Sequence, residues 1–130
     1  MLGLVLKTVG LAVIFLFGGV SAAFSDAAHG RDISRLHCAR CHVIPDLRNM
    51  GIGSTPSFKA MVKSPADDWR DKFEAFYSLP PHPAFVTVKE LRTERVGPAI
   101  AAPVIISLRE IDDLMEYVDE LASKYRGKEN

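Results

Sequence analysis

The chain has 130 residues, with 16 Lys+Arg against 16 Asp+Glu and two cysteines. That length builds one small core rather than two, and a net charge of zero speaks against a nucleic-acid binder. Hydrophobic residues at 48% and charged residues at 25% describe a globular chain rather than a disordered one, and two thiols are too few for a disulfide-rich scaffold or a four-thiolate metal site.

The first 23 residues stand apart from the rest. Lys7 is their single charge, residues 8–20 are almost purely apolar, and Ser21, Ala22 and Ala23 follow. A charge, an apolar stretch and a small-residue exit make a secretory signal. The expected cut is after Ala23, with a cut after Ser25 as the near equivalent, so residues 24–130 form the exported working domain. If the leader stays uncleaved, it anchors the chain to a membrane. No later run of 18 apolar residues exists, so the body itself is expected to be soluble.

Residues 26–40 lack proline and place Ala28, Ile33 and Leu36 at near-helical spacing, which predicts a first helix. Gly30 inside it costs about 1 kcal/mol against Ala and implies a packing reason, such as the close approach of another helix. The helix runs into Cys38-Ala39-Arg40-Cys41-His42, the c-type haem attachment signature. Two thiols three positions apart reach the two vinyl groups of one haem and form thioethers. The next residue, His42, then lies beneath the porphyrin and offers an imidazole nitrogen to iron. Two other readings compete. A redox Cys-x-x-Cys pair normally follows a strand in a βαβ pattern, and none is evident. Half a zinc site needs a second Cys/His pair at a suitable distance, which the sequence lacks.

Residues 43–55 hold Pro45, Asn49, Gly51, Gly53 and Ser54, which is loop chemistry. Thr55-Pro56 predicts a helix start with Thr55 as N-cap, and Phe58, Met61 and Val62 give that helix an apolar side. Ser64-Pro65-Ala66-Asp67 repeats the start signal. The helix after it carries an aromatic stripe of Trp69, Phe73, Phe76 and Tyr77. Leu79-Pro80-Pro81-His82-Pro83 must be extended or turned. Residues 85–88 alternate weakly, as a short strand does, and residues 89–106 read as a loop with little regular structure. Ser107-Leu108-Arg109-Glu110 is a capping box. It opens a final helix with Ile111, Leu114, Met115, Val118, Leu121 and Ala122 on one face. From Arg126 onward the chain is polar and is expected to fray.

The sum is a small all-α domain, and over residues 26–125 it resembles the class I c-type cytochromes. The attachment motif is the most specific part of the likeness. Gly30 and the first helix are similar to the family's N-terminal helix, whose glycine admits the C-terminal helix. Leu114, Tyr117 and Val118 resemble that final helix. Gly51-Ile52-Gly53-Ser54-Thr55-Pro56 is similar to the loop after the haem motif. Small bacterial members carry stretches similar to Ser54-Thr55-Pro56-Ser57-Phe58 and Pro81-His82-Pro83-Ala84-Phe85.

The resemblance implies a cytochrome c-like helical domain wrapped around one covalent haem c. Cys38 and Cys41 would hold the haem and His42 its iron. The Pro56 carbonyl would accept the His42 ring N–H, which orients the imidazole and raises its basicity. Trp69 is either an indole N–H donor to a haem propionate or simple core. The sixth ligand departs from the family pattern. A Met usually stands in the loop before the last helix, and here that place reads His82. Met61 is the rival, Met50 is too close in sequence, and Met115 reads as core. His29 and His37 read as surface histidines, and Arg40, Lys59 and Lys63 as solvated charges. The implied function is periplasmic electron transfer, not enzymatic, with transient redox-protein partners and no nucleic acid. Two alternatives stay open: a haem enzyme or gas sensor with a displaceable sixth ligand, and a haem subunit of a dehydrogenase complex.

Overall fold

The structure, a computed structural model, describes residues 24–66 and 68–127. The predicted leader lies outside them, as do Asp67 and residues 128–130.

Helix α1 (Ala27–Ile33) starts at Asp26, whose carboxylate accepts the backbone N–H groups of Ala28 and His29. These bonds satisfy donors that a helix start leaves orphaned. The chain continues as a π-helical turn, Ser34–Cys38. Ser34 is fully buried and its hydroxyl donates to the Gly30 carbonyl at 2.9 Å. The Ala39 N–H then reaches the Ser34 carbonyl at 2.9 Å. A bond across five residues widens the last turn. The single helix predicted over residues 26–40 is therefore an α-helix and a π turn that delivers Cys38.

Three further helices follow: α2 (Phe58–Val62), α3 (Trp69–Glu74) and α4 (Leu108–Arg126). Between α3 and α4 stand two 3₁₀ turns, Phe76–Ser78 and His82–Ala84, and two short strands, β1 (Val86–Val88) and β2 (Val104–Ile106). The fold is helical but not purely so. The strands pair in parallel, with Val86 opposite Val104, Thr87 opposite Ile105 and Val88 opposite Ile106. Val86, Val88, Val104 and Ile106 turn inward and are buried, while Ile105 faces out. Residues 89–106, expected as plain loop, thus end in a strand. Three residues are too few to show a period of two against noise.

The predicted helix starts need correction. Ser57, not Thr55, caps α2; its hydroxyl accepts the Ala60 N–H at 3.1 Å. Pro56 lies ahead of that helix, where its carbonyl faces another partner. Ser64-Pro65 opens no helix, because the Ser64 hydroxyl accepts the Ala66 N–H at 3.3 Å in a local turn. The aromatic stripe breaks at Glu74, so Phe76 and Tyr77 sit in a 3₁₀ turn rather than on α3. Arg126 does not fray: its guanidinium donates to the carbonyls of Val62 at 3.1 Å and Ser64 at 3.0 Å.

Helices α1 and α4 hold the domain together. A Cβ placed on Gly30 would fall 1.9 Å from the Asp113 carbonyl oxygen and 2.9 Å from the Leu114 Cα. Only a glycine lets the two backbones approach so closely. Ile33, Leu114, Tyr117 and Val118 are buried around that crossing. Asp113 is buried there too, at 3% exposure, and it is fully engaged. It accepts the Asp26 N–H at 2.7 Å, lies 2.7 Å from the His29 ring and 3.2 Å from the Arg109 guanidinium. His29 is thus no free surface group, although half of its side chain is exposed. His37, also expected at the surface, is half-buried, and burial lowers its pKa.

Candidate functional site

The residues after the π turn fold tightly on themselves. The Cys38 carbonyl accepts the N–H of Cys41 at 3.1 Å and of His42 at 2.9 Å. The following loop is pressed onto this turn. Gly51 has φ +58, and a Cβ there would meet the Cys41 carbonyl oxygen at 2.8 Å and the Val43 nitrogen at 2.9 Å. Both the left-handed backbone and the contact demand glycine. The next residue, Ile52, donates its N–H to the Cys41 carbonyl at 2.7 Å. Asn49 reaches the same turn with its side chain, bonding the carbonyls of Ala39 and His42 and the N–H of Ile44.

The far end of the loop brings Pro56 to the His42 ring. Nδ1 of His42 lies 2.8 Å from the Pro56 carbonyl oxygen. A carbonyl only accepts, so Nδ1 carries the proton and Nε2 keeps a lone pair. His82 repeats the arrangement from the opposite segment. It opens the 3₁₀ turn His82–Ala84, after the cis peptide bond between Pro80 and Pro81. Its Nδ1 donates to the Leu79 carbonyl at 2.9 Å, and its Nε2 is again the atom with the lone pair. Burial lowers the His82 pKa below its ordinary value; the Leu79 carbonyl opposes that and the His42 ring adds to it. The imidazole is therefore held neutral at neutral pH.

The two rings lie 6.1 Å apart between centres and within 5° of parallel. Aromatic edges flank both. Phe58 stands 5.7 Å from the His42 ring, and Phe76 and Phe85 stand 5.3 and 5.7 Å from the His82 ring. Phe73 packs edge-on to Phe58 at 5.0 Å, and Trp69 to Phe73 at 6.3 Å. The Arg126 guanidinium lies 5.7 Å from the Trp69 ring centre. Cys38 is in contact with the core, and burial pushes its thiol up to about 12. A segment of the loop between the strands spans both histidine neighbourhoods. Val96 donates its N–H to the Pro83 carbonyl at 2.8 Å, and Arg40, between the two cysteines, donates to the Ala102 carbonyl at 3.4 Å.

These residues fit a haem. An imidazole–metal bond is about 2.0–2.1 Å and the ring centre lies about 1.1 Å behind the nitrogen, so two axial imidazoles on one metal stand about 6.3 Å apart. The observed separation of 6.1 Å is close to that value. Each ring turns Nδ1 to a carbonyl, which leaves Nε2 as the nitrogen on offer to a metal. Met61 is half-buried on α2 against the core, Met50 is exposed and Met115 is buried on α4.

Cys38, Cys41, His42, Pro56 and His82 are thus gathered at one place, with Trp69 two aromatic rings, Phe58 and Phe73, beyond His42. Sequence reasoning passed over Asn49, Gly51 and Leu79. Asn49 and Gly51 carried a visible signal, since both are turn formers pressed between a motif and a proline, but loop composition alone names no partner. Leu79 acts only through its carbonyl, which no sequence pattern marks.

A cytochrome c-552 of Bradyrhizobium diazoefficiens (strain JCM 10833 / BCRC 13528 / IAM 13628 / NBRC 14792 / USDA 110) is 32% identical to this chain over 89 residues. The match covers 68% of this chain and 84% of that protein. No protein-family model matches the chain, and no solved structure matches it. The attachment signature, the helical fold around it and the extent of that identity lead to one family: this chain belongs to the c-type cytochromes.

Proposed function

We propose that the chain is a class I cytochrome that carries one covalent haem c and passes single electrons between redox proteins, after export to the periplasm. The observation that carries this reading is the pair of parallel imidazoles at 6.1 Å, each with Nδ1 tied to a carbonyl and Nε2 left to bind. Cys38 and Cys41 would hold the haem by thioethers, and His42 and His82 would ligate its iron. When bound, the haem supplies the one-electron Fe(III)/Fe(II) couple. The chain's own contribution is to fill both axial sites, so that no substrate reaches the iron, and to keep water off both imidazoles with Phe58, Phe76 and Phe85. A second His in place of Met sets a lower potential. Trp69 is assigned as an N–H donor to a propionate.

The test is spectroscopic. Purified protein should stain for haem on a denaturing gel and give low-spin spectra in both redox states. His82→Ala should turn the ferric spectrum high-spin, while Met61→Ala leaves it low-spin. The opposite pattern makes Met61 the ligand. Resistance of the reduced protein to carbon monoxide supports the carrier; rapid binding instead favours an enzyme or gas sensor with a displaceable ligand. Co-purification with a dehydrogenase favours the subunit reading. Trp69→Phe keeps the ring and removes the donor; propionate resonances that do not move end that assignment.

A further inference from the structure

We propose that Asn49 is a positioning residue for the axial His42, holding that residue's backbone so that its ring meets Pro56 in one orientation. The proposal rests on the reading of His42 as an axial ligand. Three bonds from one carboxamide carry it. Nδ2 of Asn49 donates to the His42 carbonyl at 2.6 Å and to the Ala39 carbonyl at 2.9 Å. Oδ1 accepts the Ile44 N–H at 3.0 Å. Both amide protons and the oxygen are thereby used, which is the full donor set of the side chain. The carbonyls at the end of a helical turn lack intrahelical partners, and Asn49 supplies them at two positions within the attachment motif.

The consequence for His42 follows from where its two ends are held. The Asn49 side chain grips its carbonyl, and the Pro56 carbonyl grips its Nδ1 at 2.8 Å. Both grips come from the one loop after the motif. That loop also binds through backbone, by Ile52 to Cys41 and by the close seat of Gly51. Those contacts seat Gly51 on the Cys41–Val43 backbone, the peptide after His42 included, and leave the hydrogen bond to the His42 carbonyl to Asn49. Without Asn49 that peptide plane keeps its packing but loses its hydrogen bond, and the ring shifts in its alignment with Pro56. A weaker N–H···O bond makes the imidazole a poorer electron donor, which disfavours the oxidised iron.

Asn49→Leu is neutral, near in size, and removes all three bonds. In the ferric holoprotein the four haem-methyl shifts report the plane of the axial imidazoles, so their pattern should redistribute. At a fixed ambient potential the reduced-to-oxidised ratio should rise by about threefold to tenfold, the scale of one weakened hydrogen bond. His29→Ala, remote from this loop, serves as control. It should lower the denaturation midpoint and leave both readouts unchanged. If Asn49→Leu lowers the midpoint but keeps the wild-type shifts and ratio, Asn49 is only a loop clasp and the proposal is wrong. Where that variant does not accumulate, the wild-type holoprotein decides: its Asn49 side-chain protons should exchange at least tenfold more slowly than a free primary amide, and exchange at the free rate overturns the proposal. Absence of haem from the wild type would instead defeat the functional reading.

Discussion

At the residue scale, a few side chains carry consequences out of proportion to their size. Gly30→Ala would drive a methyl group to within 1.9 Å of the Asp113 carbonyl oxygen. Backbone cannot yield as a side-chain tip does, so the cost should be about 1–3 kcal/mol or more despite alanine's better helix propensity. Chemical denaturation of the holoprotein measures it. His29 and Asp113 make a pH-dependent pair in the same crossing. The hydrogen bond to Asp113 raises the His29 pKa above 6.5. Burial alone would push Asp113 up, but His29, the Asp26 N–H and Arg109 outweigh it and hold that carboxyl low. A raised His29 stabilises fully below its unfolded value, and that stability fades as pH rises through the folded one. A lowered Asp113 stabilises above its unfolded value and is lost as pH falls through the folded one. The midpoint difference between wild type and His29→Ala should thus be largest between the ordinary Asp and His pKa values and shrink as pH rises through the raised His29 value. In the sequence Gly30 stood out as a helix interior glycine, and its purpose was legible. Asp113 was not, because it sits among charged residues and only the crossing explains its burial.

At the element scale, legibility followed the length of the signal. The last helix was plain: Ser107 and Glu110 make both capping-box bonds, and the inward face matches the periodic one. Ser107→Ala should cost about 1 kcal/mol, read from thermal melts. The short elements were misread at their boundaries. A Ser or Thr before a proline marks either a cap or a turn, and which one forms depends on bonds made across the loop. Pro56 shows why: with its carbonyl committed to His42, α2 begins two residues later. The first strand fell within residues 85–88, where weak alternation announced it, but the second was hidden for a different reason. A parallel pair needs a crossover, and here residues 89–103 make one without a helix. That crossover ties the Pro83 carbonyl through Val96. Val96→Pro removes the donor, and the low-spin spectrum assigned to His82 should then be lost at a lower temperature than in wild type, by a thermal scan in the visible range.

At the scale of the whole molecule, the haem motif alone pointed to the site, but the sequence could not show that His42 and His82 stand parallel. That relation joins segments forty positions apart through loops with no periodic pattern. Phe58 and Phe85, which flank the two rings, belong to the core and Phe76 packs against it, so a bound haem would be part of what they pack on. Removal of the haem by Cys38→Ala with Cys41→Ala should leave a chain with far less helix by circular dichroism. The balanced protein charge also understates the acidity of the holoprotein, since two propionates add to it.

The crossing of α1 and α4 sets an order in time. A chain is made from its N-terminal end, yet Asp26, His29 and Ser25 all find their partners 84 to 91 positions later. Until α4 has emerged, α1 has nothing to lock against, and the two thiols stay open to chemistry that the finished molecule closes off. A chain ending at Ser107 should accordingly leave Cys38 reactive toward an alkylating agent, at the rate of an ordinary thiol. The meeting of the two ends therefore acts as a clock, holding a window open for assembly and shutting it when the last helix arrives.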